Sequence, residues 1–466
     1  MSLRLHDTAA RAVRDFVPLE PGRASLYLCG ATVQAAPHVG HIRSGINFDV
    51  LGRWLRASGY EVTFCRNVTD IDDKIIARGE TEGRQWWSVA TEFEREFAWA
   101  YDVLGCTRPT VEPRATGHVP EMVELMDALI ATGHAYPVGG DVYFDVRSFP
   151  EYGALSGQRP DEMQAAGDSV GDDRKRDPRD FALWKSAREG EPSWATPWGR
   201  GRPGWHLECS AMAMDRLGET LDLHCGGIDL IFPHHEDEIA QSEAATGVPF
   251  SRVWCHGAFL LTEGAKMAKR VGNVSTVQGL REERFSAAAL RHFVFNTHYR
   301  KELNLSDEAL EASRQAVRRV GDFADRLNSE SAMALGGTPE LARAADAAVA
   351  QAEAALFDDL NGPETLAALF DFIRKANAEL DRRGGDRESV ERARAAFARI
   401  DGILDIVPER EGAAVELARW IDERIAARRE ARMRRDFAEA DQIRDELKGR
   451  GVTIEDAGGE TRWKMG

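Results

Sequence analysis

The chain has 466 residues, 43% of them hydrophobic, with 60 Lys and Arg against 77 Asp and Glu for a net charge of −17, so it can bury several cores and is a poor candidate for indiscriminate nucleic-acid binding, though a shaped site stays open. No basic-then-apolar leader precedes the first strand signal and no apolar run approaches the roughly 18 residues of a membrane span, so a cytoplasmic protein is expected. Six scattered cysteines form no disulfide framework.

The first strand signal is the short apolar run Leu26-Tyr27-Leu28-Cys29. After the turn Pro37-His38-Val39-Gly40-His41, apolar residues recur at helical spacing from His41 until Gly59, and a second strand signal runs from Tyr60 to Val68. This strand–helix–strand unit suits anion chemistry. Gly40 lets backbone approach a ligand, and the N–H groups of the helix start favour negative charge, so His38 and His41 would flank a polyphosphate. No GxGxxG is present, and a dinucleotide reading has no support. Thr69 ends the second strand at the sheet edge where ligands gather in open α/β sheets, and Asp70 is placed to cap the next helix.

From Thr116 to Gly201 the sequence reads as an insertion, with a strand signal at Asp141–Asp145 and a charged, Gly-rich stretch from Gly167 to Arg179 that reads as a flexible loop. Trp205 and His206 then precede Cys209, and Gly226, Gly227 and Asp229 form a tight turn in which the aspartate either caps or binds ribose hydroxyls. Pro233 suits a helix N-terminus, and His234 and Glu238 at i and i+4 share a face. With Cys29 and Cys209 they make two thiolates, an imidazole and a carboxylate, a donor set that suits tetrahedral zinc; spacing alone leaves His235 and Glu236 as substitutes. His224 carries no assignment, and Cys65, Cys106, Cys225 and Cys255 read as small buried residues.

The apolar stretch Val253–Leu261 leads into Lys266-Met267-Ala268-Lys269-Arg270, a loop bounded by Gly264 and by Gly272-Asn273. It is either a solvated basic turn or a mobile clamp for charge building on departing pyrophosphate. A connecting segment runs to about Leu305. Ser306 is placed to cap a helix with Leu310, Val317, Val320, Phe323, Ala324 and Leu327 on one face, and Ala-rich helices broken at Asn361-Gly362-Pro363 continue to Ile400. Residues 411–466 read as a helical hairpin with a strand-like tail, Val452–Ile454. On one of its helices Arg424, Arg428, Arg429, Arg432, Arg434 and Arg435 crowd together, partly neutralised by Glu423 and Glu430.

PHVGH and KMAKR, in that order in one chain, resemble the HIGH and KMSKS signatures of class I aminoacyl-tRNA synthetases. The runs LYLCGATVQAAPHVGH, NVTDIDDKII, RDPRDFALWK, GRPGWHLECSAM, GGIDLIFPHHEDEIAQSEAATG and THYRKELNLSDEAL resemble cysteinyl-tRNA synthetase along nearly the whole length. The resemblance implies an α/β, Rossmann-like catalytic domain in two halves, 1–115 and 202–265, around a connective insertion at 116–201. A KMSKS-like loop and stem-contact segment (266–305), an all-α anticodon-binding bundle (306–405) and a small C-terminal tRNA-binding domain (406–466) follow. The implied activity is ATP-dependent activation of L-cysteine and its transfer to tRNA(Cys) by a monomer.

By the same resemblance His38, His41, Lys266 and Lys269 are catalytic, and Gly40, Asp229 and Lys269 contact ATP, which enters with Mg²⁺. Thr69 and Trp205 line the cysteine pocket. Cys29, Cys209, His234 and Glu238 hold one Zn²⁺ that binds the substrate's sulfur, while Arg428, Arg432 and Arg435 meet the tRNA. Such a metal makes editing unnecessary, and the insertion is too small for a large hydrolytic domain. Two rivals remain. A mycothiol-type cysteine:amino-sugar ligase is opposed by Lys74 and the arginine-rich C-terminus. A non-catalytic tRNA- or cysteine-binding paralogue is favoured by Val39, Ala268 and Arg270 departing from the signatures, and opposed by the retained lysines, histidines and four ligands.

Overall fold

The computed structural model describes residues 2–159, 173–262, 265–266, 276–282, 286–408, 412–450, 452–457 and 460–465. The chain divides into two compact units, Met1–Pro408 and Glu409–Gly466.

The first unit opens with an antiparallel hairpin, β1 (Arg4–Asp7) and β2 (Ala12–Asp15). Then come β3 (Arg23–Leu28), α1 (Val39–Ala57), β4 (Glu61–Arg66), α2 (Asp73–Glu82) and α3 (Trp86–Val103). The insertion contributes α4 (Val119–Ala131), β5 (Ala135–Val138), β6 (Asp141–Phe144), β7 (Phe181–Ser186), β8 (Trp194–Thr196) and β9 (Gly199–Pro203), whose strands form one antiparallel sheet in the order β5-β6-β7-β9-β8. After it lie α5 (Trp205–Leu217), β10 (Leu221–Gly227), α6 (Glu236–Thr246), β11 (Ser251–Gly257), β12 (Leu260–Thr262), β13 (Ala265–Lys266), α7 (Val277–Glu282), α8 (Ala287–Phe295) and β14 (Leu303–Leu305).

The central sheet is wholly parallel, in the order β11-β10-β3-β4. Its strands are near-continuous buried runs because helices cover both faces, which is what a parallel sheet requires. From β3 the chain moves to β4 on one side, whereas β10 is followed by β11 on the other, so the crevice beyond the carboxyl ends of β3 and β10 is a topological switch point, where ligands bind in open α/β sheets.

Strand β4 stops at Arg66, and Thr69 lies beyond it, bridged to Thr32. Asp70 does not cap the next helix. That position belongs to Asp72, whose side chain accepts from Lys74 N because α2 starts only at Asp73. Asp70 instead accepts from Thr116 N (2.9 Å) and Oγ1 (2.5 Å), pinning the entrance to the insertion. The described part of the expected flexible loop is anchored, since Asp177 accepts from Arg147 and Arg179; residues 160–172 lie outside the described residues.

The bundle consists of α9 (Asp307–Asn328), α10 (Glu330–Leu335), α11 (Pro339–Phe357), α12 (Gly362–Arg382) and α13 (Arg387–Leu404). Ser306 caps α9 by accepting from Ala309 N, and the six apolar residues expected on one face are buried. The break at Asn361 is the start of α12, with Asn361 accepting from Glu364 N and Pro363 in the first turn. This bundle shares its core with the sheet: one hydrophobic cluster runs from Leu3 to Ile406. Polar ties cross as well. Arg291 of α8 pairs with Asp49 of α1 at 2.9 Å and donates to Leu404 O, and Asp359 accepts from His6 N, Tyr299 OH and Arg300 Nε. The change at Leu305–Ser306 is thus one of secondary structure, and the packed unit runs through it.

The second unit holds α14 (Gly412–Met433), α15 (Phe437–Gly449) and a hairpin of β15 (Val452–Ala457) with β16 (Glu460–Met465), so the expected single tail strand is one arm of a pair. Ile421, Ile443, Leu447 and Val452 form its core. The arginine cluster is not all on one helix: Arg434 and Arg435 lie in the turn after α14, Arg435 with φ +64°. Arg428 is only 8% exposed, which takes it off the solvent face, while Arg432 and Arg435 are exposed. Among the described residues no helix is long and apolar enough to cross a membrane.

Candidate active site

Cys29 follows β3 directly and donates its backbone N–H to Cys225 O of β10, which fixes it in the switch-point crevice. Cys209 comes from the buried face of α5, His234 from the five-residue turn Ile231–His235, and Glu238 from α6. The two sulfurs lie 3.8 Å apart, Cys29 Sγ is 3.5 Å from Glu238 Oε1, and His234 Nε2 is 3.0 Å from the same oxygen. All four donor atoms fall within 4.8 Å of one another. His234 and Glu238 do not share one continuous helix, because Phe232 is extended and α6 proper begins at Glu236; the i, i+4 spacing nevertheless brings them into contact.

The residues that spacing left open now separate. Glu236 accepts from the backbone of Gly153 (2.9 Å) and Ser156 (2.7 Å), so its carboxylate is committed to the insertion. His235 reaches Cys29 Sγ at 3.3 Å from the other side and meets His256 at 2.8 Å. His224, unassigned from the sequence, places Nε2 2.8 Å from Glu238 Oε2. Its signal was a histidine in the middle of a strand-like run, Leu221–Cys225, whose residues are all buried. Cys29, His224, His235 and Glu238 form a second, overlapping set within the same 4.8 Å limit. Cys65, Cys106, Cys225 and Cys255 are buried.

Charge at the cluster favours the ionised forms of Cys209, Glu238 and His234. The bond from Cys29 and the charge of His234 lower the Cys209 thiol to about 6 against its burial. His224 and His234 hold the Glu238 carboxyl well below its usual range although it is buried, and Glu238 with Cys209 raises His234 to about 10 despite desolvation. Burial and the neighbouring Cys209 push the Cys29 thiol up. Two sulfurs, an imidazole and a carboxylate converging within 4.8 Å are a donor set that fits zinc, whose charge would replace the His234 proton. A second layer orients the ligands, as such sites require. His206 Nδ1 meets His234 Nδ1 at 2.9 Å, turning Nε2 toward the cluster, and Trp205 at the start of α5 stacks on His234 at 4.2 Å.

Above the cluster, Gly30 N donates to Asn67 Oδ1 at 2.7 Å, and Asn67 Nδ2 donates to Thr69 Oγ1 at 3.3 Å. The buried Glu208, missed in the sequence, also bonds Thr69, and burial raises its carboxyl well above the usual range. Asp229 stands exposed in the turn Ile228–Leu230 after β10. A Cβ on Gly227 would lie 2.5 Å from Asp229 Oδ1, so the aspartate side chain packs closely over this glycine.

The first signature segment meets the chain that follows the lysine loop. His38 caps α1 by accepting from His41 N, His41 accepts in turn from His38 N, and the two rings stack at 3.5 Å; Gly40 sits in the first turn between them. Thr276, which follows the lysine loop, is bridged to His38, and Val277 N donates to Pro37 O at 3.3 Å. Of Lys266 only the backbone, in β13, is described; Lys269 lies outside the described residues.

Comparison with known proteins agrees with this arrangement. Family models for the tRNA synthetases class I (C) catalytic domain, the DALR domain and the cysteinyl-tRNA ligase anticodon binding domain match residues 15–315, 351–407 and 416–463. The chain is 48% identical to the cysteine–tRNA ligase of Streptomyces avermitilis and 47% to that of Streptomyces griseus, each alignment covering 100% of both chains. Among solved structures, methionyl-tRNA synthetase of Mycobacterium tuberculosis in complex with methionyl-adenylate superposes with a TM-score of 0.60 at 18% identity, covering 82% of this chain and 90% of that one. A putative arginyl-tRNA synthetase of Campylobacter jejuni gives 0.54 at 13%, covering 82% and 92%; at such identities these two speak to the fold alone. The match to an anticodon-binding domain stands against the amino-sugar ligase, and a class I catalytic domain with end-to-end relatives at this identity stands against a non-catalytic paralogue. On these grounds the chain belongs to the cysteine–tRNA ligase family of class I aminoacyl-tRNA synthetases.

Proposed function

We propose that the switch-point crevice activates L-cysteine with ATP and that the same unit passes the acyl group to tRNA(Cys). The observation that carries this is the convergence of Cys29, Cys209, His234 and Glu238 on the sheet edge that also carries the His38–His41 turn. The cysteine carboxylate attacks the α-phosphorus of ATP, entering as its Mg²⁺ complex, and pyrophosphate leaves. The 3′-terminal ribose hydroxyl of the tRNA then attacks the adenylate carbonyl and AMP departs. A zinc ion held by the four donors would supply a soft site for the substrate's sulfur as thiolate, a preference that serine's hydroxyl cannot match.

The chain's own groups do the rest by position and charge. His38, Gly40 and His41 at the start of α1 receive the phosphates, with Lys266 and Lys269 closing on the charge that develops on pyrophosphate. Asp229 takes the ribose hydroxyls, and Thr69 and Trp205 bound the cysteine pocket. Residues 1–115 and 202–265 make the adenylate around the insertion at 116–201; segment 266–305 leads to the bundle at 306–405 and the C-terminal unit, which hold the tRNA. Arg432 and Arg435 face solvent there, whereas Arg428 supports the unit from within. The chain works as a cytoplasmic monomer.

The test is cysteine-dependent ATP–pyrophosphate exchange, followed by acceptor assays with tRNA(Cys) and with the amino sugar, on protein whose zinc is measured by elemental analysis. About one zinc per chain, charging of tRNA alone, and serine activated at least ~10⁴-fold less efficiently than cysteine are expected, since shape alone rejects a near-isostere only about a hundredfold. A zinc-free yet fully active protein, or comparable exchange with serine, would overturn the metal's role.

A further inference from the structure

A hydrogen-bonded chain leads from the N-terminal hairpin to Cys29. Thr8 Oγ1 lies 2.7 Å from His256 Nδ1, His256 Nε2 lies 2.8 Å from His235 Nδ1, and His235 Nε2 lies 3.3 Å from Cys29 Sγ. Both rings are buried, His235 at 0% and His256 at 6% exposure. Thr8 is half-buried and firmly placed: its N–H donates to Trp254 O at 2.9 Å, and the Asp7 carboxylate beside it accepts from Trp254 N at 3.1 Å. The His235 ring is equally confined, since a Cβ on Gly226 would stand 2.7 Å from its Cε1.

A neutral imidazole donates at one nitrogen and accepts at the other, so two such rings in series pass on a single direction. If Thr8 accepts from His256, each bond runs the other way and Cys29 must donate S–H, which is incompatible with metal ligation. If Thr8 donates, His256 Nε2–H donates to His235, and His235 Nε2–H donates to the Cys29 thiolate. At the end of the chain away from Cys29, the threonine hydroxyl supplies the O–H donor that the second direction requires.

We propose that Thr8 is a positioning residue for the metal cluster: its hydroxyl, by donating to His256, sets the direction of the His256–His235 pair so that Cys29 receives an N–H donor as a thiolate ligand. This rests on the zinc reading above. Outer partners of metal ligands are typically worth ten- to a hundredfold in affinity, and Thr8 acts through two rings, so an effect near tenfold is expected.

The experiment uses the full-length holoprotein. Zinc transfer to a chromogenic chelator should be about tenfold faster in Thr8→Val than in the parent, and Thr8→Ser, which keeps the hydroxyl, should restore the parent rate. With cobalt in place of zinc, the sulfur-to-metal charge-transfer band should weaken or shift in Thr8→Val and not in Thr8→Ser. If Thr8→Val does not fold, Thr8→Ala gives the same reading. Chelator kinetics and cobalt band indistinguishable from the parent in the hydroxyl-less variant, or a defect that serine fails to repair, would overturn the inference, even if melting temperatures differ. Parent protein that binds no zinc would instead bring down the zinc reading and this inference with it.

Discussion

Gly30 offers the sharpest test of how Cys29 is held. A Cβ at this position would lie 1.7 Å from the backbone oxygen of Asn67 and 2.9 Å from its carbonyl carbon. The backbone of Gly30 is not left-handed, so what the site demands is close approach and not special torsion angles. A backbone oxygen cannot rotate aside as a side chain can. Opening the gap from 1.7 to 3.0 Å in Gly30→Ala therefore moves one chain segment by about 1.3 Å, and the residue beside it is Cys29. Overpacking of this kind costs about 1–3 kcal/mol of stability, and a misplacement of ~1 Å at a reacting centre costs on the order of 10²-fold in rate. Cysteine-dependent pyrophosphate exchange should fall by about that factor, with loss of zinc by elemental analysis. Gly402→Ala is the control: it lies in α13 with nothing within 4 Å of the new Cβ, so exchange should be unchanged and stability equal or raised by up to about 1 kcal/mol. Parent-like exchange and zinc content in Gly30→Ala would refute the claim that this close approach places Cys29.

Four other perturbations address the lysine loop, the C-terminal arginines and the packed unit. Lys269→Ala should lower kcat for adenylate formation by roughly 10²-fold or more, with a smaller change in KM for cysteine, because the charge it meets develops in the transition state; unchanged exchange would reduce the loop to a solvated turn. Replacing Arg432 and Arg435 together with alanine should flatten the salt dependence of tRNA binding by up to ~0.7–0.9 log units of slope for each phosphate that is no longer neutralised, leaving cysteine activation intact; an unaltered slope would place the RNA-binding surface elsewhere. Asp49→Ala strips the partner from Arg291, both side chains being 1% exposed, and should cost about 3–5 kcal/mol in chemical denaturation. Because the sheet shares its hydrophobic core with the bundle, a chain ending at Leu305 should not fold, and a stable, exchanging fragment would show that the sheet stands alone.

Much of the molecule was legible because its signals are local. The helix at His38, the Ser306 cap with its buried stripe, the start at Asn361 and the strand at Asp141 rest on periodicity and capping within a few residues. Offsets of a residue or two escaped this logic, as with Asp72 taking the cap expected of Asp70, because capping depends on where the first helical N–H falls. Family resemblance named four donors that the structure brings together, yet spacing alone could not divide His234 from His235. Adjacent side chains on a turn point to opposite sides, and only the packing of β3, α5 and α6 decides which side holds Cys209 and which holds His256. His224, Thr8 and the fusion of the bundle to the sheet were likewise settled in three dimensions. The first two depend on strands β3, β10 and β11 lying side by side in parallel register and the third on a core shared across the chain, and contacts between segments so far apart in sequence leave no periodic trace.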